Sequence, residues 1–188
     1  MFFPWVGLFE QIRLADLFVH YNDVQFPQGR SFCSRVQIKM KDKIHWLTVP
    51  VTRKKEQLII DVKIDESQDW RGKHLQTLKY AYGNSVYCNE MIELVKRVYY
   101  PRTNSLCEMN IKALEEISRY FELETDFMCS SDIGASSTKT ERLIQLLKKV
   151  NASVYITGWG AKNYLNHENF EEHNIRVEYM EYTFKPYV

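Results

Sequence analysis

FFPWVGLFEQIRLADLFVHYNDVQF, residues 2–26, changes its periodicity halfway along. Leu8, Phe9, Ile12 and Leu14–Ala15 recur at helical spacing, so LFEQIRLAD reads as a short amphipathic helix. DLFVHYNDVQF is aromatic and β-branched, which reads as a strand ending in the polar pair Asn22-Asp23. Pro4 and Gly7 suit the crossing from a strand into a helix. The expectation is that a first strand precedes Met1, that Met1 is internal to a longer pattern, and that DLFVHY keeps an unpaired edge.

Working outward, residues 27–34 read as a loop, and RVQIKM and HWLTVPV alternate with period two around KDK, the pattern of a hairpin. Pro50 cannot donate to a ladder and belongs at a strand end or sheet edge. LIIDVKID (58–65) reads as another strand. Helical spacing follows over 70–82, 87–100 and 105–121, with Pro101 between the last two and Asn104 or Ser105 as an N-cap. A further helix covers TKTERLIQLLKKV (138–150), ASVYITG reads as a buried strand closed by Gly158 and Gly160, and NFEEHN with IRVEYMEY gives a last turn and strand. No repeat or linker interrupts residues 1–188. The expected fold is one α/β domain, three-layered around a partly parallel sheet, with a central helical portion over about 70–121.

Composition excludes several classes. The formal net charge is +1, with Lys and Arg scattered among acids, so no electrostatic footprint for nucleic acid exists. No run of 18 apolar residues suggests membrane insertion, and no signal peptide is evident. Cys33, Cys88, Cys107 and Cys129 lie far apart, a pattern of reduced cytoplasmic thiols rather than disulfides or zinc. The five histidines show no metal spacing, so no metal site is expected.

Chemistry concentrates at three places. Asp23 is delivered by a strand into a loop, where it could bind a hydroxyl, a cation or an amine; a solvated or helix-capping acid is the alternative. Arg35, after the loop Gly29-Arg30-Ser31, could grip a phosphate or carboxylate, or simply pair with Asp23. ASSTKTERL (135–143) puts hydroxyls and free N–H groups at a helix start, with Lys139 and Arg142 one turn apart. It resembles the ISSTxxR segment with which adenylyl- and cytidylyl-transferring enzymes contact phosphates, and it also reads as an ordinary N-cap. The paired histidines of those transferases are missing. Gly158-Trp159-Gly160, closing a strand, is a pocket wall or a tight turn. His74 either faces a pocket or sits on a helix surface.

FFPWVGLFEQIRLADLFVHYNDVQF also resembles the opening of the WbqC-like family: an aromatic pair, Pro4, Gly7, Phe9, Asp16 and Asp23-Val24-Gln25-Phe26. SFCSRVQIK is similar to its next block, with Arg35 at the arginine position and Ser34 where asparagine is common. HWLTVPV, Trp70 to KHL, TERLI, YITGWGAKNYL and Tyr182 continue the likeness along the chain. The resemblance implies a bacterial protein encoded among genes for surface-polysaccharide and modified-sugar synthesis. It also implies an apolar strand ending in Gln-Pro before the aromatic pair and a tyrosine-containing segment after KPYV. With that strand, the start would be that of a nucleotide-binding, nucleotidyltransferase-like unit. The expected function is a cytoplasmic transferase or ATP-dependent amide-forming enzyme acting on a nucleotide-linked or amino sugar. In it Asp23 is the catalytic residue, serving as base or amine orienter. Gln25, Arg35, His74, Lys139, Arg142, Gly158 and Gly160 bind substrate, and a nucleotide such as ATP is the candidate cofactor. The alternative is a non-catalytic protein that holds a sugar nucleotide or a partner enzyme.

Overall fold

A computed structural model describes residues 1–29, 31–100 and 102–183; Arg30, Pro101 and residues 184–188 lie outside the described residues. In chain order the elements are α1 (Val6–Arg13), β1 (Leu17–His20), β2 (Arg35–Met40), β3 (Lys43–Thr48), β4 (Val51–Thr52), β5 (Lys63–Ile64), α2 (Trp70–Tyr82), α3 (Cys88–Tyr99), α4 (Leu106–Tyr120), β6 (Asp126–Cys129), α5 (Ser130–Ile133), α6 (Lys139–Lys149), β7 (Val154–Gly158), α7 (His167–Glu172) and β8 (Arg176–Met180). Short 3-10 turns cover Ile59–Asp61 and Trp159–Asn163. The mixed α/β class stands. The expected single partly parallel sheet is corrected to four two-stranded ribbons, two parallel and two antiparallel. The chain divides into two compact units, the first Met1–Pro4 with Asn22–Glu122, the second Trp5–Tyr21 with Leu123–Val188.

In the first unit β2 and β3 form an antiparallel hairpin in which Arg35 opposes Thr48 and Gln37 opposes Trp46. Lys43 and Ile44 belong to β3, which leaves a two-residue connection of Lys41, at φ +52°, and Asp42. Pro50 falls between β3 and β4, where no ladder bond is asked of it. The hairpin turns Ile38 and Leu47 into a core that includes Phe2, Trp70, Val95, Tyr99, Leu106 and Met109. Residues 58–65 are not one strand. The Ile59 and Ile60 N–H groups donate to the Val24 and Asn22 carbonyls, so the backbone that a regular ladder would use is already engaged.

The helices follow their apolar spacing and their caps. Ile92, Val95 and Val98–Tyr99 recur at three to four residues and are buried. The Ser105 hydroxyl accepts from Glu108 N–H at the start of α4, and Asp69 accepts from Gly72 N–H at the start of α2. Gly72 has no room for a side chain, because a Cβ there would lie 2.1 Å from Asp69 Oδ2. Asp69→Ala leaves one orphan donor at the helix start. We expect it to cost about 1 kcal/mol in denaturant unfolding, with Asp69→Asn recovering most of that.

In the second unit β1 runs parallel to β6 (Leu17 opposite Asp126, His20 opposite Cys129), and β7 runs parallel to β8 (Val154 opposite Arg176, Gly158 opposite Met180). Residues 126–129 carry no strand in the sequence reading, yet they supply the partner of β1. Among the described residues no strand pairs with the other edge of β1 or of β7. The Gln11 side-chain amide donates instead to the Ile156 carbonyl at 2.9 Å, and the Thr125 hydroxyl donates to the Ile12 carbonyl at 2.8 Å. A second core gathers Ile144, Leu165, Phe170 and Ile175, with Tyr155 stacked on Phe170. Gly7 lies in α1 because the Trp5 indole occupies the place of its side chain; a Cβ would meet the ring at 2.1 Å.

Candidate functional site

The eight residues singled out by sequence divide evenly. Asp23, Gln25, Arg35 and His74 belong to the first unit; Lys139, Arg142, Gly158 and Gly160 belong to the second.

In the first unit Asp23 lies in the segment clamped by the Ile59 and Ile60 donors and by Phe26 N–H to the Gln57 carbonyl, 2.8 Å. It is half-buried, and Gln25, bridged to Leu58, is exposed. Arg35 opens β2 and lays its guanidinium over the Trp46 ring, 3.7 Å from the centroid. The exposed Phe32 ring tilts against the same Trp46 at 5.7 Å. This stacking orients Arg35 without consuming its hydrogen-bond donors.

His74 is neither on a helix surface nor open to a ligand. It is 6% exposed. Its Nε2 lies 3.2 Å from the Thr48 carbonyl, an acceptor only, so Nε2 carries the proton. Nδ1 then accepts from the Tyr99 hydroxyl at 2.9 Å. Burial lowers its pKa to about 4 and keeps the ring neutral. Burial also raises the pKa of Tyr99, which remains a donor. Trp70 and Phe2 pack beside the pair, and Arg71, buried over Trp70, pairs with Glu66 and donates to the Thr103 carbonyl. This network braces α2, α3 and β3.

In the second unit β6 leads through α5 and a loop into α6. Thr138 is the N-cap of α6 and makes no side-chain cap bond. Lys139 starts the helix at φ +54°, a left-handed conformation that costs a non-glycine residue on the order of 1 kcal/mol. Gln145 Oε1 accepts from Ser136 and Ser137 N–H at 3.3 and 3.4 Å. The Ser137 hydroxyl is shielded and has no hydrogen-bond partner among the described residues. Arg142 donates to the Ala135 carbonyl and holds its guanidinium 5.5 Å from the Tyr21 ring centroid, just past the carboxyl end of β1. Lys139 and Arg142 therefore stand three residues apart at the positive end of a helix dipole. Both the dipole and the mutual repulsion oppose that arrangement.

Gly158 and Gly160 flank Trp159 at the carboxyl end of β7, with nothing within 4 Å of where a side chain would begin. They keep that edge open. Trp159 stacks on Tyr179 of β8, with centroids 5.1 Å apart and planes 22° apart. The Tyr179 hydroxyl shares a 2.6 Å hydrogen bond with His167 Nε2. Tyr21, Trp159, Tyr179 and His167 are absent from the candidates named by sequence. Only Trp159 had a local signal, the flanking glycines; Tyr179 is brought in by the β7–β8 register, His167 reaches it from α7, and Tyr21 follows the end of β1.

His20, at the end of β1, is 8% exposed, stacks on Phe127 with planes 21° apart, and has a pKa lowered to about 4 by burial. Among the described residues no three His, Cys, Asp or Glu side chains gather as a metal ion would require. None of the helices formed by those residues is long and apolar enough to cross a membrane.

No solved structure matches the chain. The uncharacterized protein Rv1507c of Mycobacterium tuberculosis (strain ATCC 25618 / H37Rv) is 30% identical over 184 residues, an alignment that covers 96% of this chain and 79% of the relative. The family model for the WbqC-like protein family matches residues 1–188. With both units inside that match, the chain belongs to the WbqC-like protein family.

Proposed function

We propose that the chain is a cytoplasmic enzyme of surface-polysaccharide or modified-sugar synthesis, a transferase or ATP-dependent amide-forming enzyme acting on a nucleotide-linked or amino sugar. The observation that carries this reading is the start of α6, where Lys139 and Arg142 crowd an N-terminus with no side-chain cap bond, reached from the parallel strand β6 through α5 and a loop. That combination suits a phosphate: free N–H groups, a favourable dipole and two cations converge on an anion. Ligands of parallel α/β units collect at carboxyl strand ends, where Tyr21, the α6 loop and Gly158-Trp159-Gly160 all lie. The likeness to nucleotidyltransferases is a fold-level analogy and lends only that. On the first unit Asp23 is assigned the role of base or amine-orienting acid, with Gln25 and Arg35 as polar contacts to substrate; His74 is assigned to the core and not to substrate.

Incubating the full chain with UDP- or dTDP-hexoses and ATP, and following nucleotide products, tests the enzymatic part. Asp23→Asn should reduce turnover by ~100-fold or more, as expected for loss of a general acid or base, while the unfolding temperature stays within ~2 °C of the parent. Turnover unchanged in Asp23→Asn removes the residue from the chemistry. Ligand binding with no product in the parent favours a binding protein instead.

A further inference from the structure

We infer that the outer face of the β2–β3 hairpin binds a carboxylate carried on a ring, with Arg35 taking the carboxylate and Phe32 the ring. This deepens the amide-forming reading, which joins an acid to an amine, and it rests on Arg35 as a substrate contact. Cross-strand partners share a face, so Arg35, Gln37 and Lys39 lie on the outer side with Thr48, Trp46 and Ile44. None of the six is acidic. Arg35 is half-buried, yet among the described residues no acid pairs with it, Asp23 included, and no hydrogen bond uses its side-chain N–H groups. With its central carbon 3.7 Å from the Trp46 centroid, the guanidinium gives one face to the indole and keeps its N–H edge for an acceptor. The ligand therefore needs neither face of Trp46.

Charge decides which anion fits. One guanidinium carries a single positive charge and matches a carboxylate with two parallel hydrogen bonds, whereas a phosphate monoester carries about −1.5 to −2. Lys39, the other cation on this face, is four residues along the strand, about 13 Å away, too far to share one anion. Phe32 supplies the second contact. Its ring is 53% exposed and reaches the same indole, with centroids 5.7 Å apart. The turn that carries it is pinned. Phe2 N–H donates to the Phe32 carbonyl at 2.8 Å, Ser34 N–H to the Ser31 carbonyl at 3.2 Å, and Cys33 N–H to the Ser31 hydroxyl at 3.0 Å. A large ring held out of the core on fixed backbone adds contact area at little ordering cost.

Magnetic resonance titration of the isotope-labelled full chain, read on the Trp46 indole N–H signal, tests this with glucuronate, benzoate, acetate and inorganic phosphate. In the parent the carboxylates should move the signal saturably, and at least one of the two ring acids should bind about fivefold more tightly than acetate. Arg35→Ala should weaken that ring acid by about tenfold or more, and Arg35→Lys, which keeps the charge and loses the fork, should recover little of it. Phe32→Ala should reduce the ring acid to the acetate affinity and leave acetate unchanged. Carboxylate affinities equal in the parent and Arg35→Ala overturn the site. Phosphate binding beside Trp46 as tightly as the carboxylates overturns the choice of anion, and ring acids no tighter than acetate overturn the role of Phe32. Nucleotide turnover with UDP-hexose and ATP is measured on the same chains. Turnover in a parent that ignores carboxylates refutes the site alone, and carboxylate binding in a parent that turns over no nucleotide refutes only the enzymatic reading.

Discussion

Tyr99→Ala should lower the stability of the first unit by ~4 kcal/mol, the range for removing a buried aromatic side chain. Tyr99 is 1% exposed and touches three other rings: Trp70 at 5.1 Å, Phe3 at 6.1 Å and His74 at 6.2 Å. Truncation leaves a void that Trp70 and Phe3 cannot fill without leaving their own contacts. It also strips His74 Nδ1 of its donor in a site closed to water. Tyr99→Phe separates the two effects, since it keeps the ring and removes only the hydroxyl, at a cost of ~1–2 kcal/mol. Denaturant titration followed by tryptophan fluorescence reads both. A Tyr99→Ala chain within ~1 kcal/mol of the parent would contradict the core described here.

Acid should destabilise both units before their carboxylates titrate. His20 in the second unit and His74 in the first have pKa values lowered by burial from 6.5 to about 4. Between those values the unfolded chain binds protons that the folded chain refuses, so unfolding takes up protons and stability rises with pH. The stability these groups contribute is present above about pH 6.5, falls as pH drops toward 4, and changes no further below that. Each histidine is worth roughly 2 kcal/mol over that window. Glu10, Asp65 and Glu93, whose pKa values are lowered by hydrogen bonds from Arg13, Ser67 and Lys96 respectively, act in the same direction at lower pH. Unfolding midpoints at pH 7 and pH 4.5 measure the loss. His74→Asn should flatten the dependence of the first unit. Equal midpoints at both pH values would show that these rings are charged or solvated in the folded chain.

How much of this was legible depended on whether the signal was local. The spacing within α3 and α4 and the serine cap at Ser105 are contained in a dozen residues, and those elements fall within a residue or two of their expected places. The hairpin was legible for the same reason, since RVQIKM alternates by itself. β6 was not. DFMC is four residues with no period of its own, and it is a strand because it can pair with β1 more than a hundred residues earlier. LIIDVKID shows the opposite failure: its apolar residues suggested a strand, but its donors are used by Val24 and Asn22, and only Lys63–Ile64 pair with β4.

The site divides in the same way. Lys139 and Arg142 are legible as candidates because a Ser/Thr run before a helix is a contiguous pattern. Trp159 carried its glycines as a marker, but the reason for its orientation, Tyr179 and His167, lies in the β7–β8 register. The burial of His74 is not legible because the sequence marks Leu75, Leu78 and Ala81 as the apolar face of α2, whereas the residues buried there are Trp70, Arg71, His74 and Leu78. The actual partner of His74 is a tyrosine 25 residues away on another helix.

Thermal unfolding of the full chain with and without UDP-hexose tests most directly the proposed binding of a phosphate-bearing sugar at the start of α6. At a ligand concentration a hundredfold above Kd, binding to the folded state adds about 2.7 kcal/mol, which for a chain of this size raises the midpoint by roughly 5–10 °C. The parent should show that rise and Lys139→Ala/Arg142→Ala should lose it, with the unliganded midpoint little changed. No rise with UDP-hexose, dTDP-hexose, hexose 1-phosphate or ATP at millimolar concentration, or an equal rise in the double variant, would contradict it.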